Sequence, residues 1–265
     1  MKGVVAALVV LLLPAAAQAQ QSWNAQARQC LAGLETTAKQ SESLCQQVLQ
    51  RAEKASLANE TVATVMNRLG IFYDESGRFD EAERMYRRSL QVKEKVHGPD
   101  SPELAKGLNN LAQLFWSRGW FDYTEPLYKQ ALTIREKAFG REHPSVASSL
   151  NNLGLLYWNQ GRYGEAEPLF REALAIREKN LGPEHPDVAT AMNNLAVLCD
   201  SAGKTAEAEG FYRRALEIRE KVLGANDPAV VDSLNNLILF HRGHGKNEEA
   251  DRLAKRLADT TAARR

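Results

Sequence analysis

The sequence predicts an all-α protein, a right-handed α-solenoid of about five helix-hairpin repeats preceded by an N-terminal helical hairpin. Three observations predict it. The triplets Asn109-Asn110-Leu111, Asn151-Asn152-Leu153, Asn193-Asn194-Leu195 and Asn235-Asn236-Leu237 stand 42 residues apart, with a degraded copy at Asn67-Arg68-Leu69. Two glycine columns (Gly77, Gly119, Gly161, Gly203, Gly245 and Gly98, Gly140, Gly182, Gly224) and a proline column (Pro102, Pro144, Pro186, Pro228) keep the same period without a gap. No segment alternates apolar and polar residues with the period of two that a half-buried strand requires.

The elements follow in chain order. Met1-Lys2, an apolar run to residue 13, Pro14 and the small residues of Ala17-Gln18-Ala19 read as a secretory leader over residues 1–19, with cleavage expected after Ala19. The run is shorter than the roughly 20 apolar residues that span a bilayer, so it reads as a leader rather than an anchor. The expectation is a periplasmic or secreted chain with no membrane insertion after cleavage. Losing Lys2 turns the 34 basic and 33 acidic residues into 33 of each. Such a balance gives no general attraction to nucleic acid or anionic lipid.

Residues 20–56 read as a helical hairpin cap that turns near Thr37 to Ser41. Cys30 and Cys45 flank that turn, and in an oxidising compartment they are expected to bond. The alternative is a pair of buried free thiols. Repeats are expected at about 57–98, 99–140, 141–182, 183–224 and 225–265. In the last four, Pro opens the first helix, where a missing N–H costs nothing. Ser101, His143, His185 and Asp227 precede it as N-caps. Glycines end both helices, where a left-handed residue suits them. The inner face of the third repeat carries Leu150, Leu153, Gly154 and Tyr157, met by Ala166, Phe170, Ala173 and Ile176. Small residues at 70, 112, 154 and 196 let the second helix approach the first. Cys199 and His241 replace an aromatic in the later repeats, and Ala254 does so in the last helix. Cys199 is expected to be a buried, unreacted thiol.

The order Leu, Gly or Ala, Tyr, then Ala-x-x-x-Phe/Tyr, then Ala, resembles the tetratricopeptide repeat. The 42-residue period, the Asn-Asn-Leu triplets, the run Gly161-Arg162-Tyr163-x-Glu165-Ala166-Glu167 and the A-x-x-I-R-E-K segments look like the kinesin light chain subfamily, here as an exported bacterial version. The resemblance covers about residues 57 to 260. It implies extended peptides bound along the first helices of the repeats. The chain lacks a long heptad coiled coil and carries a leader, so motor binding is not implied.

Chemistry beyond binding is not expected. No G-x-S-x-G, P-loop, HExxH or zinc-type Cys/His spacing occurs. His143 and His185 recur in Glu-His-Pro, but stacked helices lie about 8–10 Å apart, which suits two caps better than one metal ion. No cofactor, metal or catalytic residue is assigned. The Arg-Glu-Lys runs at 135–137, 177–179 and 219–221 read as a repeated surface feature. The face of the first helices opposite the hairpin seam is the candidate site. Its columns hold Asn67, Asn109, Asn151, Asn193 and Asn235, and beside them Arg68, Asn110, Asn152, Asn194 and Asn236. Lys106, Leu155, Trp116 and Trp158 share the face. Amides offer donor and acceptor to a peptide backbone, and the tryptophans offer anchors. The competing role for the amides is to bridge neighbouring helices. The expectation is thus a protein or peptide partner held by a non-catalytic scaffold, with an assembly subunit using the opposite face or the ends as the alternative, and an enzyme of unknown type as a remote one.

Overall fold

The computed structural model describes residues 15–34 and 38–262, and these hold twelve helices and no strand. The apolar run of the expected leader, and Thr37 of the expected turn, lie outside the described residues. No helix among the described residues is long and apolar enough to cross a membrane. The chain forms two compact units, one up to Pro99 and one from Asp100.

The first unit contains α1 (Ala15–Leu34), α2 (Ala38–Lys54), α3 (Glu60–Glu75) and α4 (Phe79–His97). Cys30 and Cys45 are disulfide-bonded with Cα atoms 5.1 Å apart, and both are fully buried. Trp23 closes the same hairpin, its indole N–H donating to the Val48 carbonyl at 3.0 Å. Ser41, at the end of the segment where the turn is expected, lies inside α2. Asn59 caps α3 by accepting from the Val62 amide at 3.0 Å. Gly70 then explains the closeness of α3 and α4: a Cβ there would stand 2.7 Å from the Tyr86 ring. Ser89 is buried in α4, and its hydroxyl donates to the Ala63 carbonyl at 2.7 Å.

The second unit contains α5 (Pro102–Ser117), α6 (Phe121–Phe139), α7 (Pro144–Asn159), α8 (Tyr163–Leu181), α9 (Pro186–Ser201), α10 (Thr205–Leu223), α11 (Pro228–Gly243) and α12 (Asn247–Ala262). These are four helical hairpins, each helix packing on its sequence neighbours. Proline starts α5, α7, α9 and α11, and the expected caps are made. Asp227 accepts from the Ala229 amide at 2.8 Å, and the His143 and His185 Nδ1 atoms accept at 3.1 Å. The glycines of both columns have φ between 72° and 86°, a left-handed backbone that a side chain would strain.

The core is the one the period predicts. Leu153, Tyr157, Ala166 and Phe170 join Tyr128, Leu195 and Leu198 in one buried cluster at the centre of the unit. Burying each large side chain stabilises by roughly 1.5–3 kcal/mol. The last hairpin exchanges volumes across the seam. Ile238 stands where the other repeats carry Gly or Ala, and Ala254 stands where they carry an aromatic ring. Cys199 is buried, and burial pushes its thiol up to about 11, so it stays protonated.

The Arg-Glu-Lys runs correct the sequence reading. They are not wholly a surface feature, because Arg135 and Arg219 are only 9% exposed. The Arg135 guanidinium donates to Ser149 Oγ at 2.6 Å and to the Ser145 carbonyl at 3.3 Å, fastening α6 to α7. Arg219 repeats the contact on Ser233 Oγ at 2.7 Å and the Ala229 carbonyl at 3.2 Å, fastening α10 to α11. At the junction of α8 and α9 the position of Ser149 is held by Ala191. The corresponding Arg177 Nη1 is buried and without a hydrogen-bond partner among the described residues. A buried charged donor tolerates this only at a cost in free energy.

Exposed ion pairs run beside these fasteners. Arg162, Lys204 and Lys246, each opening a second helix, reach Glu125, Glu167 and Glu209 of the preceding repeat at 2.8, 2.6 and 2.6 Å. Glu125 also accepts from Tyr157 and Lys129. Burial alone would raise its pKa, but the three donors overcome that and hold it at about 2.

Candidate partner-binding face

α5, α7, α9 and α11 are amphipathic, and their least buried stripe carries the residues that the repeat period singles out. Asn109, Asn110, Asn151, Asn152, Asn193 and Asn194 are half-buried, whereas Lys106 and Asn235 are exposed. Asn67 is half-buried and Arg68 exposed on α3 of the first unit.

Two of the amide contacts are bridges between repeats. Asn194 Nδ2 donates to Asn151 Oδ1 at 2.7 Å, and Asn236 Nδ2 donates to Asn193 Oδ1 at 2.8 Å. Each neighbouring column therefore supplies one side of a rung. Asn109 differs: with its amide oxygen turned to α6, it accepts from both terminal nitrogens of Arg135 at 3.0 and 2.9 Å. Lys106 is engaged as well, its ammonium 2.8 Å from Glu103. The rungs leave the second lone pair of each acceptor amide and one N–H of each donor amide for a ligand.

The tryptophans are less free than the sequence suggests. Trp116 and Trp158 are half-buried against the central core cluster, as is Leu155. The Trp158 indole N–H donates to Ser201 Oγ at 2.9 Å, which fixes the ring against α9. Leu155 and Trp158 line a cavity of about 220 Å³ with Asn194, Val197 and Phe170. Gly154 contributes by omission: a Cβ there would lie 2.8 Å from the Phe170 ring. The site is thus an apolar pocket with an amide on its wall, placed between two first helices.

Val197, Ser201 and Phe170 were not among the expected site residues. The signal was present in the period. Adding 42 to Leu155 gives Val197, and adding it again gives Leu239, which is 66% exposed. One apolar column therefore runs through Leu155, Val197 and Leu239.

A second surface departs from the repeat. Position 120 is Trp where the equivalent positions hold Arg78, Arg162, Lys204 and Lys246, and position 123 is Tyr where they hold Glu. Trp120 is 39% and Tyr123 62% exposed. Their rings cluster with Phe115 within 5.7–6.2 Å, and the Arg118 guanidinium lies 3.9 Å from the Trp120 ring. No group of three or more His, Cys, Asp or Glu among the described residues is placed to hold a metal ion.

A family model described as tetratricopeptide repeat matches residues 29–95, 61–122, 121–179 and 150–221. The chain is similar in structure to BtubC (BKLC) from P. vanneervenii, with a TM-score of 0.74, 24% identity, and 86% of this chain and 92% of that one covered. It is also similar to a Podosopora anserina protein described as a kinesin light chain with nearly identical TPR-like repeats (TM-score 0.68, 23% identity, 78% and 98% covered). A third similar structure is PilF of Pseudomonas aeruginosa (TM-score 0.59, 15% identity, 90% and 91% covered). At these identities the likeness concerns the fold. No curated protein matches the sequence.

Proposed function

We propose, from the premise that this chain belongs to the tetratricopeptide repeat family, that it is a non-catalytic scaffold of the bacterial periplasm. Proteins of this repeat fold are generally protein–protein interaction scaffolds. In our reading residues 1–19 export the chain and are removed after Ala19. The partner is a protein or peptide segment lying along the first helices of the second unit, from α5 to α11.

The observation that carries this reading is the 220 Å³ pocket of Leu155, Trp158, Val197, Phe170 and Asn194. It pairs an apolar receptor for one side chain with an amide positioned to meet the backbone beside it. A bound segment would set an apolar residue on Trp158 and hydrogen-bond the remaining valences of Asn151 and Asn194. The Leu155–Val197–Leu239 column would take further side chains at the repeat spacing.

The aromatic corner at Trp120 and Tyr123 favours a second reading, an assembly subunit that meets its partner on a different surface. Co-purification from periplasmic extract, followed by titration of the captured partner, separates the two. On the first reading Trp158→Ala weakens binding at least tenfold, since an aromatic anchor is worth about 2 kcal/mol or more, and Tyr123→Ala leaves it unchanged. The reverse pattern would overturn the first reading in favour of the second. Circular dichroism of each variant checks that the fold is retained.

A further inference from the structure

The spacing of the partner face selects a backbone conformation. Apolar side chains recur along it once per repeat, at Leu155, Val197 and Leu239. Stacked helices lie about 8–10 Å apart, so a segment crossing α7, α9 and α11 would meet one such side chain at each step. A β-strand returns a side chain to the same face after about 6.6–6.8 Å, and its third residue points the opposite way. Polyproline II has three residues per turn and rises about 3.1 Å per residue, so its same-face side chains stand about 9.3 Å apart. An α-helix also comes close, since two of its turns span about 10.8 Å.

The amides separate the last two. The rungs from Asn194 to Asn151 and from Asn236 to Asn193, at 2.7 and 2.8 Å, leave each amide with a valence for a ligand. A helix has its backbone groups bonded internally, and it would cover these amides without answering them, at a cost in free energy. Polyproline II has no internal hydrogen bonds, so its carbonyls are available to the asparagine N–H groups.

Charge narrows the occupant further. α7 carries no charged side chain. The column beside the asparagines reads Lys106, Ser148, Thr190 and Asp232. Lys106 is paired with Glu103, and the Ser148 and Thr190 hydroxyls donate to the Pro144 and Pro186 carbonyls. Asp232 is exposed, one turn from Asn235 and Asn236. Arg219 lies within its electrostatic reach but is buried and turned to Ser233 and Ala229. The face is neutral over α7 and acidic at α11, which suits an uncharged segment with a cation at one end.

We propose that the segment held on this face is a polyproline-II stretch with an apolar residue at every third position and a basic residue beside Asp232. The proposal rests on the reading of the Trp158 face as the partner site, and it names the conformation and charge of what binds there.

The probes are acetylated and amidated octapeptides of three leucines, four prolines and one arginine. One pair has leucine at every third position and arginine beside the first or the last leucine; a second pair has leucine at every second position. A version with glutamine for arginine and an alanine-based helical peptide with leucine at every seventh position complete the set. Isothermal titration calorimetry of the wild-type chain should show one period-three arginine peptide binding at least tenfold more tightly than the period-two and helical peptides. Asp232→Asn should weaken that peptide about two- to fivefold, the range of an exposed ion pair, and leave the glutamine version unchanged. Trp158→Ala should weaken it at least tenfold. Leu239→Ala, at an exposed side chain, should weaken it about threefold or more with the circular dichroism unchanged. Equal or tighter binding of a period-two or helical peptide overturns the proposal, and if Trp158→Ala weakens that peptide the face remains the partner site. Binding of the period-three peptide that ignores both Trp158→Ala and Leu239→Ala overturns the proposal and the reading of the face together. Indifference to Asp232→Asn, or no binding of any probe, also overturns the proposal, and the response of the co-purified partner to Trp158→Ala then judges the face separately.

Discussion

The arginine fasteners can be tested by moving a hydroxyl from one junction to another. Ser149→Ala removes the 2.6 Å acceptor of Arg135 and makes the α6–α7 junction resemble that of α8 and α9. Arg135 keeps the Ser145 carbonyl at 3.3 Å and the Asn109 oxygen, so the loss is partial. A hydrogen bond to a charged group contributes about 1.5–3 kcal/mol. The gain in helix propensity from Ser to Ala returns about 0.5 kcal/mol. A net destabilisation of about 1–2 kcal/mol follows, or roughly 2–8 °C for a domain of 150–250 residues. Ala191→Ser is the reciprocal change. It offers Arg177 Nη1 the acceptor that Arg135 and Arg219 already possess, and it should stabilise by about 1 kcal/mol after the same propensity term is subtracted. Thermal melts by circular dichroism read both variants. A double-mutant cycle of Ser149→Ala with Arg135→Met isolates the pair and should give a coupling of about 1 kcal/mol or more. Opposite signs for the two serine variants are what the reasoning requires. Neutrality of Ser149→Ala, or destabilisation by Ala191→Ser, would refute it.

Two further perturbations probe the core and the last repeat. Tyr157→Ala removes a ring from the central cluster as well as the hydroxyl bonded to Glu125, and should cost about 3–5 kcal/mol. Because repeats support one another only through neighbours, its melt should broaden or split into two steps, and one sharp, unshifted transition would contradict the assigned core. The second concerns pH. Burial lowers the pKa of His241, with Glu209 and Glu249 opposing the shift and Lys246 and Arg213 adding to it. The unfolded chain therefore takes up a proton first, so the stability contribution is complete above about pH 6.5 and is lost as pH falls toward the folded value. His241→Tyr should flatten the dependence of melting temperature on pH between 7 and 5, and an identical slope in both proteins would place its origin elsewhere.

The period of 42 made most of the fold legible before any coordinates. Gly77 through Gly245 mark helix ends because their φ values are ones other residues avoid, and Gly70 and Gly154 mark close approach because Tyr86 and Phe170 fill the space of a Cβ. Cys30 and Cys45 could be paired because a hairpin of two short helices brings equidistant positions together. The charged side chains were harder to read. Arg135 looks solvated inside Arg-Glu-Lys, and what buries it is Ser149, 14 residues on in a different helix. The serine at that register, repeated at 233 and missing at 191, was the available clue. The site was half legible for the same reason. Leu155, Trp158 and the amide columns follow from a helical wheel drawn on one repeat. Val197 and Ser201 belong to the next repeat, and a wheel drawn on a single helix does not show them. The wheel also places Trp158 in solvent, whereas the indole bond to Ser201 holds it half-buried.

The pairings between repeats share a property that matters for how such a chain can change. Asn151 to Asn194 and Asn193 to Asn236 are both steps of 43 residues, and Glu125 to Arg162, Glu167 to Lys204 and Glu209 to Lys246 are all steps of 37. In these contacts each junction of the second unit is a translation of the last, and that unit behaves as a one-dimensional lattice whose unit cell is 42 residues of sequence. A duplication or deletion of one whole cell regenerates these bonds between new partners. A cut of any other length breaks the bonds that span it. Positions that do not translate, Trp120, Tyr123, Ala191 and His241 among them, are the lattice's point defects. They give junctions an address on a surface that otherwise repeats itself, and under the proposed function such an address would fix where a partner sits.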